Sequence, residues 1–417
     1  MPSRWSWLIS LLGRRLWFRA ALISLLAILA PLVAIIAAPV IPPGLADRLG
    51  ADSVSQILDI LASSMLAVTT FSLTTMVSAY SAATTSVTPR ATKLMIEDTT
   101  SQNVLAAFLG SFLFSLAGII TLAMNLQGER GRLVLFVFTL IVVLIIVVTL
   151  VRWIDYVVRL GRVNETTEKV ERAIEEALRV RRQRPDLGGT PLPAGSDRLA
   201  GHVRPVLIPA VGYVRHVDAP ALAAWAEARD TTISLAAIPG TLVDPTRPVA
   251  YLGELPDEED LEPIRLAFSL GRERSFDQDP RFGFSVLAEI SSRALSPGIN
   301  DPGTAIDVIS RATRLLAHWD VAEDRAAPRY PRLHVPALTA EELLDDVFTP
   351  IARDGAALVE VQIRLQKAFA VLARQGGGRC REGARTHSRL ALQRAEQAMT
   401  FEPDRERVRS AAREVTD

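Results

Sequence analysis

The stretch Leu133–Val151, LVLFVFTLIVVLIIVVTLV, is apolar from end to end and carries no charge. As a helix rising about 1.5 Å per residue it matches the roughly 30 Å hydrocarbon core of a bilayer. Only a helix crosses lipid as a separate segment, because it satisfies its own backbone polar groups. Working back from this stretch, three further apolar runs precede it, and nothing comparable follows residue 153. The spans are read at about residues 20–41, 57–80, 104–126 and 133–153. The expected fold class is therefore a membrane α-helical part with four transmembrane helices plus a cytosolic α+β domain. The latter is read as mostly helical, with a small mixed β module.

Composition narrows the function classes. The chain has 417 residues, with 46 basic and 46 acidic side chains, and this balance gives no reason to expect a nucleic acid partner. The single cysteine, Cys380, excludes a disulfide framework within the chain, and no Cys/His cluster has zinc spacing. No metal and no cofactor are expected. Arg14, Arg15 and Arg19 precede the first run, whose length of about 22 residues exceeds the 7–15 of a signal-peptide core, so it is read as an anchor. Arg4, Arg14, Arg15 and Arg19 lie before the first span, Arg90 and Lys93 between the second and third, and Arg152, Arg159, Arg162 and Lys169 after the fourth. The positive-inside rule then places both termini in the cytoplasm of a multi-pass protein of the inner (plasma) membrane.

The second span differs from the others. Ser63, Thr70, Thr74, Ser78, Ser81, Thr85 and Thr88 recur at helical spacing, so their hydroxyls share one face. A helix over Ile57–Thr88 would be roughly 48 Å long and would outrun the hydrocarbon core. Two readings stand. The hydroxyls either bond to their own helix and pack small faces against neighbours, or line a path for ions or small solutes. Asp59 sits at the outer end of this span, as an interfacial residue or a mouth charge. Ala107, Ser111 and Ser115, with Gly110 and Gly118, mark the third span as an inner packing helix. The fourth span reads as lipid-facing.

Beyond the spans, residues 156–200 are read as a helical stalk and linker, 201–255 as a small α/β module, and 256–417 as a helical cytosolic domain. The fourth span is expected to run on into a charged helix over Asn164–Gln183, followed by the linker PDLGGTPLPAGSD (Pro185–Asp197). In the module, PVLIPAVGYVRHV is expected as one strand, APALAAWAEARD as a helix, and TTISLAAI and PVAYL as further strands. Its fifty or so residues are too few for a core of their own, so it should pack on the helices that follow. Leu358, Val361, Leu365, Phe369 and Leu372 form one apolar helical stripe, and Gly376-Gly377-Gly378 breaks the chain after it.

The densest signal is RERSFDQDPRFGFSVLAEISSRALSPGINDPGTAIDVISRATRLL, Arg272–Leu316. Asp279-Pro280 and Asp301-Pro302 each precede a helical pattern. Asp as N-cap accepts from otherwise unpaired amides, and Pro at the first helical position gives up a donor that would be idle. Gly298, in the connection between them, is free to take positive φ. Two readings again stand: two well-capped helices, or two helix N-termini converging on an anionic ligand. The ligand-binding candidates are Arg272, Arg274, Gln278, Asp279, Arg293, Ser296, Asn300, Asp301 and Thr304.

Gln278-Asp279-Pro280, Phe282-Gly283 and the run Arg293–Pro302 with Thr304-Ala305 resemble the motifs QDPxFG and RALSPGINDPxTA of a bacterial family of predicted membrane proteins classed as a domain of unknown function. Gly212-Tyr213-Val214 with Asp218 resembles that family's strand motif. The resemblance implies membership and architecture and brings no activity with it.

No phosphate loop and no nucleophile elbow is present. The five histidines are scattered, and His216 with Asp218 reads as structural. Asp279 and Asp301 serve as caps more simply than as an acid–base pair. The expectation is a non-enzymatic, homo-oligomeric channel or transport-related protein in the lipid bilayer, with the cytosolic domain gating or sensing a small anionic ligand or ion. Its pore-lining candidates are Ser63, Thr70, Thr74, Ser78, Ser81 and Thr85. The alternative is a membrane-anchored ligand-binding or signalling scaffold that acts through the cytosolic domain.

Overall fold

Long apolar runs become long helices in the computed structural model, which describes residues 16–37, 53–96, 98–124, 129–192, 204–253, 261–317, 319 and 327–416. The chain divides into two compact units, Leu8–Glu165 and one that contains Thr166–Asp417.

The first unit comprises α1 (Leu16–Ala37), α2 (Val54–Ser86), the short α3 (Pro89–Ile96), α4 (Thr99–Ala123) and α5 (Glu129–Arg159). Among the described residues, three helices are long and apolar enough to cross a membrane: Val54–Thr84, Thr99–Ala123 and Arg130–Arg159. The apolar part of α1, Ala20–Pro31, is shorter. The count is three against the four expected, and residues 38–41 of the first expected span lie outside the described residues. α4 is the central helix, with 56% of its apolar window covered, because small side chains let its neighbours approach. A Cβ on Gly110 would stand 2.9 Å from Ile23 Cγ2 of α1. Ser111 and Ser115 donate back to the carbonyls of Ala107 and Ser111, at 2.7 and 2.9 Å. α5 is covered over only 17% of its window, as its uniform apolarity predicts.

The expected continuous helix after the fourth span is interrupted. α5 stops at Arg159, Gly161 takes φ +84°, and α6 (Val163–Gln183) starts afresh. The second unit then continues through a tight turn, Pro185–Gly188, into β1 (Gly189–Leu192). The first eight residues of the expected linker are thus a turn and a strand, and residues 193–203 lie outside the described residues.

Next come β2 (Arg204–Val206), β3 (Gly212–Val217), α7 (Ala219–Ala228), β4 (Ile233–Leu235), β5 (Leu242–Val243), β6 (Ala250–Leu252), α8 (Glu262–Leu266) and β7 (Phe268–Gly271). The stretch expected as one strand over Pro205–Val217 is two, and they enter different sheets. One sheet has the order β1-β8-β4-β6-β2, where β8 is Tyr330–Pro336, and the other the order β5-β3-β7. β8 runs parallel to both β1 and β4, joining segments about 100 to 140 residues apart in sequence. The module's core of Leu222, Trp225, Ile233 and Leu235 is completed by Leu187, Phe268, Leu333 and Val335, from outside residues 201–255. It is finished by the added strands β7 and β8, by the turn at Leu187, and by Ile264 of the short helix α8 that follows.

Those helices are α9 (Pro280–Ala294), α10 (Pro302–Ala317), α11 (Ala340–Asp354), α12 (Val359–Gln375), α13 (Gly378–Ala398) and α14 (Glu402–Thr416). Val361, Leu365, Phe369 and Leu372 are fully buried, as the stripe predicts, and Phe369 meets Phe348 edge-on at 5.1 Å.

Candidate functional site

The hydroxyl series of the second span lies on α2. Ser63, Thr70, Thr74, Ser78 and Ser81 are all exposed on the face that the chain's other helices leave uncovered. The Thr85 side chain lies outside the described residues. Ser63 donates to the carbonyls of Asp59 and Ile60 at 3.0 and 3.1 Å, Thr70 to that of Leu66 at 3.0 Å, and Thr74 to that of Thr70 at 3.0 Å. Back-bonding of this kind lets a hydroxyl sit in lipid without an unmet donor. Half of the packing reading is therefore seen at Ser63, Thr70 and Thr74, which bond to their own helix. The other half is not seen, because the described residues leave these side chains exposed. Thr88 leaves the series: it is buried, and its Oγ1 accepts from the Ala91 amide at 3.2 Å at the start of α3. Asp59 is exposed near the other end of α2.

The ligand-binding candidates of the second unit separate into two groups. Asp279 caps α9 and Asp301 precedes α10. The Asp301 amide donates to the Ala294 carbonyl, the last residue of α9, at 2.8 Å. The 15 residues of α9, about 22 Å of helix, therefore stand between the two caps. The expected convergence of these two N-termini does not occur, nor does an Asp279–Asp301 carboxylate pair, because consecutive helices in a hairpin present opposite ends.

At the first end, Asp279 is 3% exposed and accepts from the Phe282 amide at 3.1 Å. Arg274 donates to both its oxygens, at 2.7 and 3.0 Å, and lies over the Phe282 ring at 5.2 Å. Burial raises the Asp279 carboxyl above its ordinary value, with Arg274 pulling the other way. Gln278 Oε1 accepts from the Val217 amide at 3.1 Å, tying the end of β3 to the start of α9. Arg272 is exposed one residue beyond β7. Gly240, at φ +97°, lies so close that a Cβ there would come within 2.4 Å of Asp279 Oδ2.

A different pair of N-termini does meet here. Arg281, in the first turn of α9, donates to Glu342 Oε1 at 2.6 Å and to both oxygens of Asp346 at 2.6 and 3.1 Å. Glu342 closes a capping box with Thr339 at the start of α11. Asp346 and Glu342 hold the Arg281 guanidinium above its ordinary value. The positions where an anion would sit at these two helix starts are filled by the chain's own Asp279 and Glu342.

At the second end, Asp301 accepts from the Thr304 amide at 3.0 Å and from its hydroxyl at 2.6 Å, which hold the carboxyl below its ordinary value. Ser296 donates to the Arg293 carbonyl at 2.6 Å, and its own carbonyl accepts from the Ile299 and Asn300 amides. Asn300, rather than Gly298, takes the left-handed conformation, at φ +51°. Asn tolerates it because its short polar side chain bonds locally. Arg293 is half-buried. The loop Pro297–Asp301 is exposed, and Ile299 is 44% exposed within it.

No group of three or more metal-ligating side chains occurs among the described residues. Asp218 accepts from the Ala221 amide as the cap of α7, and His216 is fully buried. An open groove of about 560 Å³ lies between α9 and α11, lined by Ser285, Glu289, Asp345, Asp346, Thr349 and Arg353 among others. It shares Asp346 with the Arg281 pair.

Sequence reasoning missed Arg181. It is 6% exposed on α6, and Asp186, Asp279 and Glu342 are the carboxylates that act on it. Burial lowers its guanidinium below the ordinary value. The signal was available: Val170, Ile174, Ala177 and Leu178 define the buried face of α6, and Arg181 continues it at helical spacing.

No solved structure matches this chain. Uncharacterized proteins of Mycobacterium tuberculosis (strains CDC 1551 / Oshkosh and ATCC 25618 / H37Rv) and of Mycobacterium bovis are each 30% identical to it over 233 residues. Each match covers 51% of this chain and 43% of the relative, so the chain spans less than half the length of those relatives. The family model described as predicted membrane protein (DUF2254) matches residues 13–371, and the chain belongs to that family.

Proposed function

We propose that this membrane protein is a subunit of an oligomeric channel or transport protein for a small ion or solute. In this reading α2 supplies the path and the cytosolic domain gates it, with α1 as a fourth span and both termini on the cytoplasmic side of the inner membrane. One observation carries it. Of the three apolar helices, α2 is the least apolar, yet its own chain covers only 22% of its window, whereas the more apolar α4 is 56% covered. A helix facing lipid should be the more apolar one, as α5 is. The hydroxyl face of α2 therefore calls for water or a second copy against it, and four helices are too few to enclose a path unaided. The chemistry asked of the chain is passage, not bond-making, and no catalytic role is assigned to it.

The test is flux through purified protein in sealed liposomes beside protein-free vesicles. Ion flux that Ser78→Trp abolishes is the expected result. Flux unchanged by Ser78→Trp and by Thr74→Trp would remove α2 as the path. The groove between α9 and α11 favours a second reading, a membrane-anchored ligand-binding scaffold. That reading expects ligand binding by the full chain without flux.

A further inference from the structure

Within the cytosolic unit, α6 is held unlike its neighbours. Glu171 accepts from Arg311 and, at 2.8 Å, from Arg314, both on α10. Arg311, whose side chain is 10% exposed, also donates to Asp307 at 2.6 Å. Ile174 is fully buried against Gly283 of α9, where an added Cβ would come within 2.3 Å of Ile174 Cγ1. Beyond the apolar face of Val170, Ile174, Ala177 and Leu178 comes Arg181, whose Nε and Nη1 meet no hydrogen-bond acceptor among the described residues. The joint after the helix is strained as well. Asp186, Leu187 and Gly188 take φ of +50°, +57° and +87° in succession, and Asp186 and Leu187 are buried. An L residue such as Leu187 adopts that region only when its surroundings force it.

Helix α11, by contrast, ends in no buried charge and buries a continuous apolar face. A helix latched by ion pairs near its middle, with an under-satisfied arginine in its last turn and a strained joint beyond, should open before the domain that holds it.

We propose that α6 is a detachable strut, which undocks as a unit from α9 and α10 while the rest of the cytosolic domain stays folded. It follows α5 in the chain after only Leu160, Gly161 and Arg162. The inference deepens the channel reading by naming the gating element, and rests on it only for the use to which the movement is put. Leaving the docked state frees Arg181 to reach water, with the turn at 186–188 as the fixed end of the movement, since Leu187 stays in the core of the module. The Glu171–Arg311 pair is the latch, and the Gly283 notch sets where the helix re-seats.

The native thiol provides the control, because Cys380 is fully buried in α13. Ala177→Cys places a second thiol on the docked face of α6, and Leu178→Cys serves if that variant fails to fold. Full-length protein in detergent is treated with a maleimide well below its unfolding temperature, and the two sites are resolved by peptide mass spectrometry. The expected result is labelling at 177 at least tenfold faster than at Cys380, and a further severalfold rise at 177 alone with Arg311→Gln. Equal rates at both sites, or a rate at 177 that Arg311→Gln leaves unchanged, would overturn the strut. Labelling involves no flux, so a chain that labels selectively but conducts nothing keeps the strut and loses the channel.

Discussion

Gly240→Ala tests how tightly the Asp279 corner is built. The substitution asks an L residue to hold φ +97° and drives a Cβ to within 2.4 Å of a carboxylate that is 3% exposed. Positive φ costs a non-glycine residue roughly 1–2 kcal/mol. Displacing Asp279 also disturbs its cap on α9, worth about 1 kcal/mol, and a buried ion pair with Arg274 whose rupture costs roughly 3 kcal/mol. The combined cost should be about 5–6 kcal/mol if the carboxylate is expelled, lowering the unfolding midpoint of a domain this size by roughly 15 °C. Thermal unfolding of the full chain in detergent, followed by tryptophan fluorescence, reads this through Trp225 in the core of the module. The decisive comparison is a double-mutant cycle. In an Asp279→Ala background the steric part vanishes, so Gly240→Ala should cost only the roughly 1–2 kcal/mol due to φ. Equal costs in the two backgrounds would show that Gly240 and Asp279 do not meet, and the corner would have to be redrawn.

Three further outcomes are expected. Asp301→Ala should cost about 1 kcal/mol as a lost cap, and its effect should add to that of Asp279→Ala within roughly 0.5 kcal/mol, because a whole helix separates them; strong coupling in unfolding measurements would contradict the hairpin geometry. Burial against Phe369 pushes the His387 imidazole below its ordinary value of about 6.5, with Asp345 and Glu341 opposing and Arg394 reinforcing. A depressed folded value means that the contribution is complete above about pH 6.5 and is lost as the pH falls through the folded value. His387→Gln should therefore flatten the acid side of the stability–pH curve, and an unchanged curve would assign that slope elsewhere. Gly283→Val should unseat Ile174, costing roughly 1–3 kcal/mol as overpacking, and Ile174→Ala in the same chain should recover part of the loss; no recovery would place the clash elsewhere.

The membrane half was largely legible because hydropathy acts locally. The run Leu133–Val151 needs no partner to be read as a helix, and Gly110, Ser111 and Ser115 announced the crowded centre of α4. What the α2 hydroxyls face was not legible, since periodicity assigns a face but not its neighbour. Both Asp-Pro caps were readable from their own residues. Their supposed meeting was misread because a 15-residue helix carries its two ends about 22 Å apart. The partner of α9 at that corner is α11, whose Thr339–Glu342 box lies some sixty residues further on. The pairing of β1 with β8 was invisible for a similar reason: four residues after a proline- and glycine-rich turn become a strand only because a distant edge accepts them. Arg181 shows the opposite case, a residue whose burial was encoded in the spacing of Val170, Ile174 and Leu178 but hidden by its charge.

The break at Gly161 has a mechanical consequence. A continuous helix is a shaft, and twisting one end turns the other. Here the shaft is cut: the left-handed turn at Gly161 lies against the Ala79 backbone of α2, where an added Cβ would sit 3.3 Å from the Ala79 carbonyl oxygen. Twist in α5 therefore has no unbroken helical hydrogen-bond ladder by which to reach α6.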